Sequence, residues 1–522
     1  RSSRRPRRTS REPVRGALRS LALGVACAAT VAVDGLLRDP FALLRAMPRD
    51  GWTDGLQRAF WLPWQIGDNL RHDRGAWDAS VFVGPRDASL LDLAGNPGAA
   101  TLGAPLQMVL VPAAAHAAWL LLLVVSGAVA GAALGGAVSA GRGGVALLGA
   151  ALVAGCATWT TDLADGAMAA GWVAPALAVA WAGAAERPRA MALAGAVGAI
   201  ASPVPTIAGA LAARAVPGWR PSRRSRVLDA VAAGIVLASC AVRVAWPPLG
   251  ASVEAVGSAS RALLPLHVVD GALPLPAWTL PGLLGLATCA GRGRSAAGLS
   301  AALLALTSLA PPGAWHREAL AAVLVVAGVG VVRCMSATPA VAWLAALAVL
   351  AEPSVLRARG APARPWTGPP WEVPAALVEM GRSPRSHVIL HAPVHRTREG
   401  GVGLLPFHQQ RVVGGPGLHD DGAARRAMLA WMEDEEALRT VAVAGDAPLT
   451  RATPSPAFQL ARLGVDRVVV LGGDPVLRTG LTRVLGPSPS GVWALAAPGG
   501  GQHRAPPAPD AGTAQPSTAG KR

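Results

Sequence analysis

The sequence predicts an α-helical polytopic membrane protein of about nine spans, with a re-entrant or short helical hairpin and a small C-terminal extracytoplasmic α/β domain. Composition is the first observation behind this prediction: 52% of the 522 residues are hydrophobic and 15% are charged, whereas a soluble globular chain carries about 25% charged residues. Second, the apolar residues are grouped in blocks between Leu18 and Glu352. Third, the chain after Pro365 has the composition of an ordinary soluble domain.

These differences in composition divide the chain into five parts. They are a basic cytoplasmic N-terminus (residues 1–15), a transmembrane region (16–352) whose outer loop is 34–105, a linker (353–370), an α/β domain (371–498) and a tail (499–522). The tail is rich in Gly, Pro and Ala, which is typical of a disordered segment.

Nine apolar blocks are candidates to cross a bilayer, which takes about 20 mostly apolar residues and fewer where the bilayer thins. They are Gly16–Val33, Ala114–Ala140, Gly143–Trp159, Ala167–Ala184, Val227–Trp246, Pro274–Ala290, Ala296–Ala310, Glu318–Val332 and Pro339–Ala351. The segments between them alternate between arginine-rich, as at Arg142 and Arg333, and nearly neutral. Because cytoplasmic loops carry the excess of arginine, the alternation predicts a cytoplasmic N-terminus and an extracytoplasmic C-terminal domain.

The block Ala190–Ala213 does not fit this alternation, because Arg189 before it and Arg214 after it both favour the cytoplasm. Ser202-Pro203-Val204-Pro205 interrupts the block, and closely spaced prolines end a helix. We therefore expect a re-entrant or short two-helix hairpin with its tip at membrane depth. Such a tip is tolerated only where it is packed inside protein.

The C-terminal part alternates between helical and β-rich patterns, which is typical of a small α/β domain. The predicted helices are Trp371–Gly381, Gly422–Leu438, Pro456–Leu463 and Asp474–Leu485, and the predicted strands are His387–Val394, Thr440–Ala444, Arg467–Leu471 and Val492–Ala496.

Charge and cysteine usage exclude several classes of function. Much of the net charge of +17 lies in the N-terminal segment and in short loops, where membrane topology explains it, so we expect no nucleic-acid partner. The five cysteines fall in apolar blocks without a CxxC pair, which excludes a disulfide framework. His387, His391 and His395 are spaced four apart, but on a strand each step of four covers about 13 Å, beyond the reach of one metal ion.

The outer loop carries acidic and aromatic residues close together. It holds Trp52-Thr53-Asp54-Gly55, Phe60-Trp61-Leu62-Pro63-Trp64 and Gly67-Asp68-Asn69-Leu70. Tryptophan favours the depth of the lipid headgroups. A carboxylate held there can accept a proton from an attacking hydroxyl or bind a divalent cation on a phosphate. The alternative is a solvated loop whose tryptophans only mark the interface.

The order of these features resembles that of bacterial membrane proteins with the architecture of GT-C glycosyltransferases. An acidic residue precedes a Trp-x-x-Trp-like helix ending in Asn-Leu, and Gly-Pro, Asn-Pro and Pro-Leu pairs follow before the second span. In the C-terminal α/β domain, a helix at Pro374–Glu379, a strand at His387–Pro393, Gln409-Gln410 and Gly414-Gly415 match the order found in that group.

The resemblance implies an enzyme of the bacterial inner membrane that moves a sugar from a polyprenyl-phosphate donor to an acceptor of the cell envelope. It also implies that the catalytic acid lies in the outer loop. Asp54 best occupies the matching position, Asp68 is second and Asp34 is third. A divalent cation is compatible with this chemistry.

Two other classes of function stay open at this point. The loop lacks an Asp-x-Asp pair, and Asp165-Gly166 stands where the group usually has Gly-His, so a non-catalytic assembly or interaction protein of envelope glycan or lipid biogenesis is the alternative. A transporter is the third candidate, but the spans lack the chain of ionisable residues and the internal repeats typical of that class.

Overall fold

The protein is mostly helical, with one small sheet. The computed structural model describes residues 12–32, 54–83, 98–156, 172–214, 223–245, 278–288, 314–358, 375–383, 386–392, 405–413, 464–470 and 492–494, and a few isolated positions between them.

Fourteen helices lie in this described part. They are α1 (Glu12–Ala32), α2 (Asp54–Arg71), α3 (Gly98–Val109), α4 (Pro112–Val138), α5 (Gly143–Ala154), α6 (Ala174–Ala184), α7 (Pro188–Ala201), α8 (Pro203–Ala213), α9 (Arg223–Ala245), α10 (Thr279–Ala287), α11 (Ala314–Met335), α12 (Pro339–Ala358), α13 (Ala375–Arg382) and α14 (Leu405–His408). Four of them, α4, α7, α8 and α12, begin with proline, whose fixed φ suits the first helical position and whose missing N–H is not needed there.

Five short strands form the sheet. They are β1 (Phe82–Val83), β2 (Val388–Ala392), β3 (Arg411–Val413), β4 (Arg467–Val470) and β5 (Val492–Ala494), and they lie in the order β1-β3-β2-β4-β5. The first four strands are parallel, and β5 is antiparallel to β4. The strands predicted at His387–Val394, Arg467–Leu471 and Val492–Ala496 are confirmed as β2, β4 and β5. The strand predicted at Thr440–Ala444 and the helix at Gly422–Leu438 lie outside the described residues, and so does the helix at Asp474–Leu485 except for Thr479.

Strand β1 was not predicted, and it comes from the outer loop rather than from the C-terminal part. Phe82 is in register with Val412 and Val83 with Val413. The sheet therefore joins two segments that are more than 300 residues apart in the chain.

Seven helices, α4, α5, α6, α8, α10, α11 and α12, share one apolar core. Small residues allow close contact within it: a Cβ atom on Gly131 of α4 would overlap Gly149 of α5, and one on Gly282 of α10 would overlap Ala327 of α11. Such close approach is typical of helices that associate by van der Waals packing.

Two of the described helices are long and apolar enough to cross a membrane, judged by length and composition. They are Ala114–Val138 within α4 and Glu318–Met335 within α11. A buried helix of a soluble protein meets the same criteria, and α11 is mostly buried. Most of the remaining predicted spans correspond to shorter apolar helices, and one corresponds to helix α9, which carries charged residues. The predicted span Ala296–Ala310 lies almost entirely outside the described residues. The count of nine spans stays a prediction.

The interruption predicted at Ser202–Pro205 is confirmed, because α7 ends at Ala201 and α8 begins at Pro203. The two helices fold back on each other: a Cβ atom on Gly198 of α7 would overlap the side chain of Thr206 in α8. At the other end of the pair, Arg214 forms an ion pair with Asp229 of α9. The tip reaches the start of α3, where Gly98 lies against the backbone of Ile200.

Candidate functional site at the junction of α2 and the sheet

Helix α2 lies between the helical bundle and the sheet. Every residue from Phe60 to Gly67 is buried, as expected for a helix that is covered on all sides. Gly67 allows the contact with α3, because a Cβ atom there would lie 3.1 Å from the carbonyl oxygen of Ala104 and 3.2 Å from Cβ of Gln107. Residues of the outer loop thus pack against both the helical bundle and the sheet.

The C-terminal end of α2 is stabilised by a buried amide. Asn69 is fully buried, donates from Nδ2 to the carbonyl oxygens of Ala76 (3.3 Å) and Asp78 (2.8 Å), and accepts a hydrogen bond from Nε2 of Gln65 at 2.9 Å. Arg71 donates to the carbonyl oxygen of Gln107 at 2.8 Å. These bonds orient the turn that leads from α2 to β1.

Asp68, one of the three predicted acids, is part of this turn. Its carboxylate forms an ion pair with Arg74 at 2.5 Å and lies 3.3 Å from Nδ1 of His72. The side chain of Asp68 is 14% exposed, so solvent screens this pair less than an exposed one. Because this carboxylate is already engaged by Arg74 within the turn, the geometry assigns Asp68 to holding the turn.

After the turn, the chain enters the sheet as β1. The backbone N–H of Val412 in β3 donates to the carbonyl oxygen of Val81 at 2.9 Å. The ring of Trp61 in α2 contacts that of Phe82 edge to face, with 5.6 Å between the ring centroids. Backbone pairing and aromatic packing therefore both connect α2 to the sheet.

Five rings lie between the sheet and helix α4 in two contacting groups, which are connected through the consecutive residues Phe407 and His408. We call them together the ring column. Its members are His391 (β2), His408 and Phe407 (α14), Phe60 (α2) and His116 (α4). The centroid distances are 5.4 Å for His391–His408, 5.6 Å for the stacked pair Phe407–Phe60 and 5.2 Å for the edge-to-face pair Phe60–His116.

Two imidazoles of the ring column are buried and lack part of their hydrogen bonding. Nδ1 of His408 accepts a hydrogen bond from the backbone N–H of Gln410 at 3.1 Å, which places the ring proton on Nε2. That Nε2 has no partner among the described residues, and neither ring nitrogen of His116 has one there. A buried donor or acceptor without a hydrogen-bond partner lowers the stability of the fold by about 1–3 kcal/mol. Such groups therefore mark positions where binding of a polar ligand is favourable.

Burial, with a smaller effect from the neighbouring His391, holds the pKa of His408 well below its ordinary value. The cause is that a charged imidazole loses its hydration when it is enclosed by apolar side chains. His408 is therefore neutral at physiological pH and acts as a hydrogen-bond donor rather than as a cation.

A second polar group lies at the amino edge of the sheet. Asp466 accepts hydrogen bonds from the backbone N–H of Val388 (3.0 Å) and pairs with Nδ1 of His387 (2.6 Å). Gln410 accepts from the backbone N–H of His387 at 2.7 Å and donates to the carbonyl oxygen of Met380 at 2.9 Å. All of these side chains are engaged in joining β2, β3, β4 and α13, which is a structural role.

The predicted acids do not converge. Asp54 is the first residue of α2 and Asp68 lies 14 residues later, which is about 21 Å along a helix axis, so the two do not act on one centre. Asp34 lies outside the described residues. The histidines considered for zinc are also separate: His387 pairs with Asp466, His391 contacts His408, and His395 lies outside the described residues. Within the described part of the chain, no three His, Cys, Asp or Glu side chains come close enough to hold a metal ion.

Sequence reasoning missed His116 and His408. His116 had a usable signal, because it is an ionisable residue inside the apolar block Ala114–Ala140, and such residues are functional candidates. His408 precedes the Gln409-Gln410 pair of the predicted motif, but nothing in the sequence shows that it meets His391. No protein-family model matches this chain, and a search of curated proteins found no similar sequence.

Proposed function

We propose that the chain is a multi-pass protein of the bacterial inner membrane, with its N-terminus in the cytoplasm and the sheet outside. Large apolar side chains on the outer faces of α7, α9 and α12 support this. Leu193 of α7 is 71% exposed, Leu237 of α9 is 71% exposed and Leu344 of α12 is 69% exposed. On α12 the exposed residues Val341, Leu344 and Leu347 follow helical spacing. A bilayer is the solvent in which such faces are stable.

The positions of the arginines support the same orientation. Arg19 donates to the carbonyl oxygen of Gly141, and Arg142 donates to that of Ser336. The N-terminal segment, the α4–α5 turn and the α11–α12 turn therefore meet at one end of the bundle. The positive-inside rule assigns that end to the cytoplasm and the opposite end, with the ring column, to the outer surface.

We further propose that the protein is a glycosyltransferase of GT-C-like architecture, which moves a sugar from a polyprenyl-phosphate donor to an envelope acceptor. The observation that carries this proposal is the pairing of β1 with β3, together with the stacking of Phe60 on Phe407. These contacts join the loop that carries Asp54 to the C-terminal sheet, and the joined unit packs against α4. A loop held in this way can present an acid to substrate at the membrane surface.

Asp54 is the acid that we assign to the reaction, since Asp68 is neutralised by Arg74. In the proposed step the acceptor hydroxyl attacks the anomeric carbon and Asp54 takes the hydroxyl proton. The bond between the anomeric carbon and the donor phosphate oxygen breaks, and polyprenyl phosphate leaves with the bonding electrons. His116 lies on the fifth residue of α4, one turn from its outer end, where its ring can donate a hydrogen bond to a phosphate oxygen.

The test is transfer from a polyprenyl-phosphate sugar in membranes that contain each variant at equal expression. Removing a general base costs about 10²–10⁴-fold in rate, so Asp54→Asn should nearly abolish transfer without loss of membrane insertion. Asp68→Asn should reduce transfer less and should lower stability, because it leaves Arg74 unpaired. Glu379→Gln, at an exposed position of α13, is the matched control and should have no effect. Full activity of Asp54→Asn would contradict the assignment of this acid.

The ion pair of Asp68 with Arg74 favours a second candidate function, a non-catalytic assembly protein of envelope glycan or lipid biogenesis. In that case the sheet and α2 form a docking platform, and no acid of the loop is needed. Absence of transfer by the wild type with every donor, together with normal envelope assembly by both Asp54→Asn and Asp68→Asn, would favour this function.

A further inference from the structure

Three guanidinium groups come together at the end of the bundle opposite the ring column. We call Arg19 of α1, Arg142 before α5 and Arg333 of α11 the arginine cluster. Arg19 Nη1 donates to the carbonyl oxygen of Gly141 at 2.9 Å, next to Arg142. Arg142 Nη1 donates to the carbonyl oxygen of Ser336 at 3.0 Å, and Arg333 Nη1 donates to Oγ of the same serine at 3.3 Å.

No carboxylate neutralises these charges in the part of the chain that the structure describes. The segments that carry them, residues 13–28, 135–146 and 329–344, contain no Asp or Glu. Nε of Arg333 is buried and has no hydrogen-bond partner among the described residues. Like charges that lie near one another without a counterion repel, and a bound anion would relieve that repulsion.

The surroundings of the cluster combine charge with an apolar face. Gly143 leaves room for the Arg19 side chain, because a Cβ atom there would overlap Nη2 of Arg19 and lie 3.6 Å from the ring of Trp343. Trp343 is 48% exposed, and tryptophan favours the boundary between headgroups and acyl chains. Farther along the same helix, Leu344 and Leu347 are also exposed.

We propose that the arginine cluster binds the phosphate of an anionic phospholipid headgroup from the cytoplasmic leaflet. Arginine pairs with phosphate through parallel N–H donors, and basic pockets between helices on the cytoplasmic side bind anionic lipids. A lipid, rather than free phosphate, is the occupant because the cluster continues into the exposed face of Trp343, Leu344 and Leu347, which suits acyl chains. This proposal rests on the membrane orientation proposed above, but not on the transferase activity.

The experiment measures binding of phosphatidylglycerol to the purified full-length protein in neutral detergent, by native mass spectrometry, with phosphatidylcholine as the reference lipid. The wild type should retain phosphatidylglycerol in preference to phosphatidylcholine. Loss of one charge-assisted hydrogen bond is worth about tenfold in affinity or more, so Arg142→Gln and Arg19→Gln should each weaken phosphatidylglycerol binding by about tenfold. Arg142→Lys, which keeps the charge but not the paired donors, should recover only part of the binding. Arg382→Gln, at an exposed position of α13, is the matched control and should bind as the wild type does.

Each outcome decides the proposal. Equal binding of both lipids by the wild type would overturn it, and so would wild-type affinity in both Arg142→Gln and Arg19→Gln. Displacement of phosphatidylglycerol by inorganic phosphate, with equally tight binding of phosphate alone, would also overturn the lipid assignment. Arg19 makes one hydrogen bond from an exposed position, so its variant keeps the test valid if Arg142→Gln does not fold. Since no turnover is measured, a chain without transferase activity can still pass this test.

Discussion

The two ends of the helical bundle differ in how their polar side chains are paired. At the ring column, His116 and His408 are buried, and they lack hydrogen-bond partners among the described residues for three of their four ring nitrogens. At the arginine cluster, Arg19 and Arg142 are exposed and donate to backbone carbonyl oxygens. One end is covered by α2 and the sheet, whereas the other is open and charged.

This difference shows what each end can bind. The neutral imidazole of His408 in an enclosed site donates a single, directed hydrogen bond, and burial opposes its protonation. Exposed guanidiniums remain charged and attract any phosphate at the membrane surface. The ring column is therefore suited to a specific ligand between α2 and the sheet, and the arginine cluster to the lipid headgroup that we propose above.

Of the changes that test this difference between the two ends, the removal of a buried ring at the enclosed end should have the largest effect. Phe60 is 1% exposed and contacts both Phe407 and His116. A buried Phe→Ala change costs about 3–5 kcal/mol, so Phe60→Ala should speed exchange of the Val412 amide, which bonds to Val81, by about a hundredfold or more. Hydrogen exchange measured by mass spectrometry on the β3 peptide provides the test.

Leu237→Ala is the matched control, because Leu237 is exposed on α9 and its removal leaves no cavity. It should leave exchange of the β3 peptide as in the wild type. If Phe60→Ala also left this exchange unchanged, the ring column would not hold α2 to the sheet.

A smaller effect should follow from pH, because the pKa of His408 is depressed by burial. Its unfolded state takes up a proton near pH 6.5, whereas the folded state does so only at lower pH. The stability that the neutral His408 ring contributes is therefore complete above about pH 6.5, and it is lost as the pH falls from there toward the pKa of the folded state. For one such group, the free energy of unfolding changes by at most about 1.4 kcal/mol per pH unit.

His408→Asn keeps an acceptor for the Gln410 amide and removes the titrating ring, so the same exchange measurement should become less dependent on pH below 6.5. Arg382→Gln, at an exposed position of α13, changes no histidine and should keep the pH dependence of the wild type. An unchanged pH profile in His408→Asn would exclude this imidazole as the source.

The sequence was most informative where the signal is local. The apolar block Ala114–Ala140 corresponds to α4, and the break at Ser202–Pro205 separates α7 from α8, since apolar runs and proline act within a few residues. Strand β1 has two residues and no periodicity, and it exists because Val81–Val83 meets β3 across the chain. The ring column could not be predicted for the same reason, because its contacts join five rings from four distant elements. The tie of Asp68 to Arg74 likewise depends on the turn between them.

The central claim is that the outer loop and the C-terminal sheet form one body outside the membrane. Ser80 and Arg411 are exposed beside the β1–β3 pair, with Cα atoms about 6 Å apart by the register and strand spacing. Cysteines at both positions, in a chain without its five native cysteines, should be joined in intact cells by a short membrane-impermeant bismaleimide. The Ser80–Trp493 pair should not be joined, because β5 lies four strand spacings from β1, about 19 Å. Mass spectrometry of the linked peptides gives the result. A linked Ser80–Arg411 pair is the outcome that we predict; no link in the folded protein, or a link that forms only after the membrane is permeabilised, would contradict the account.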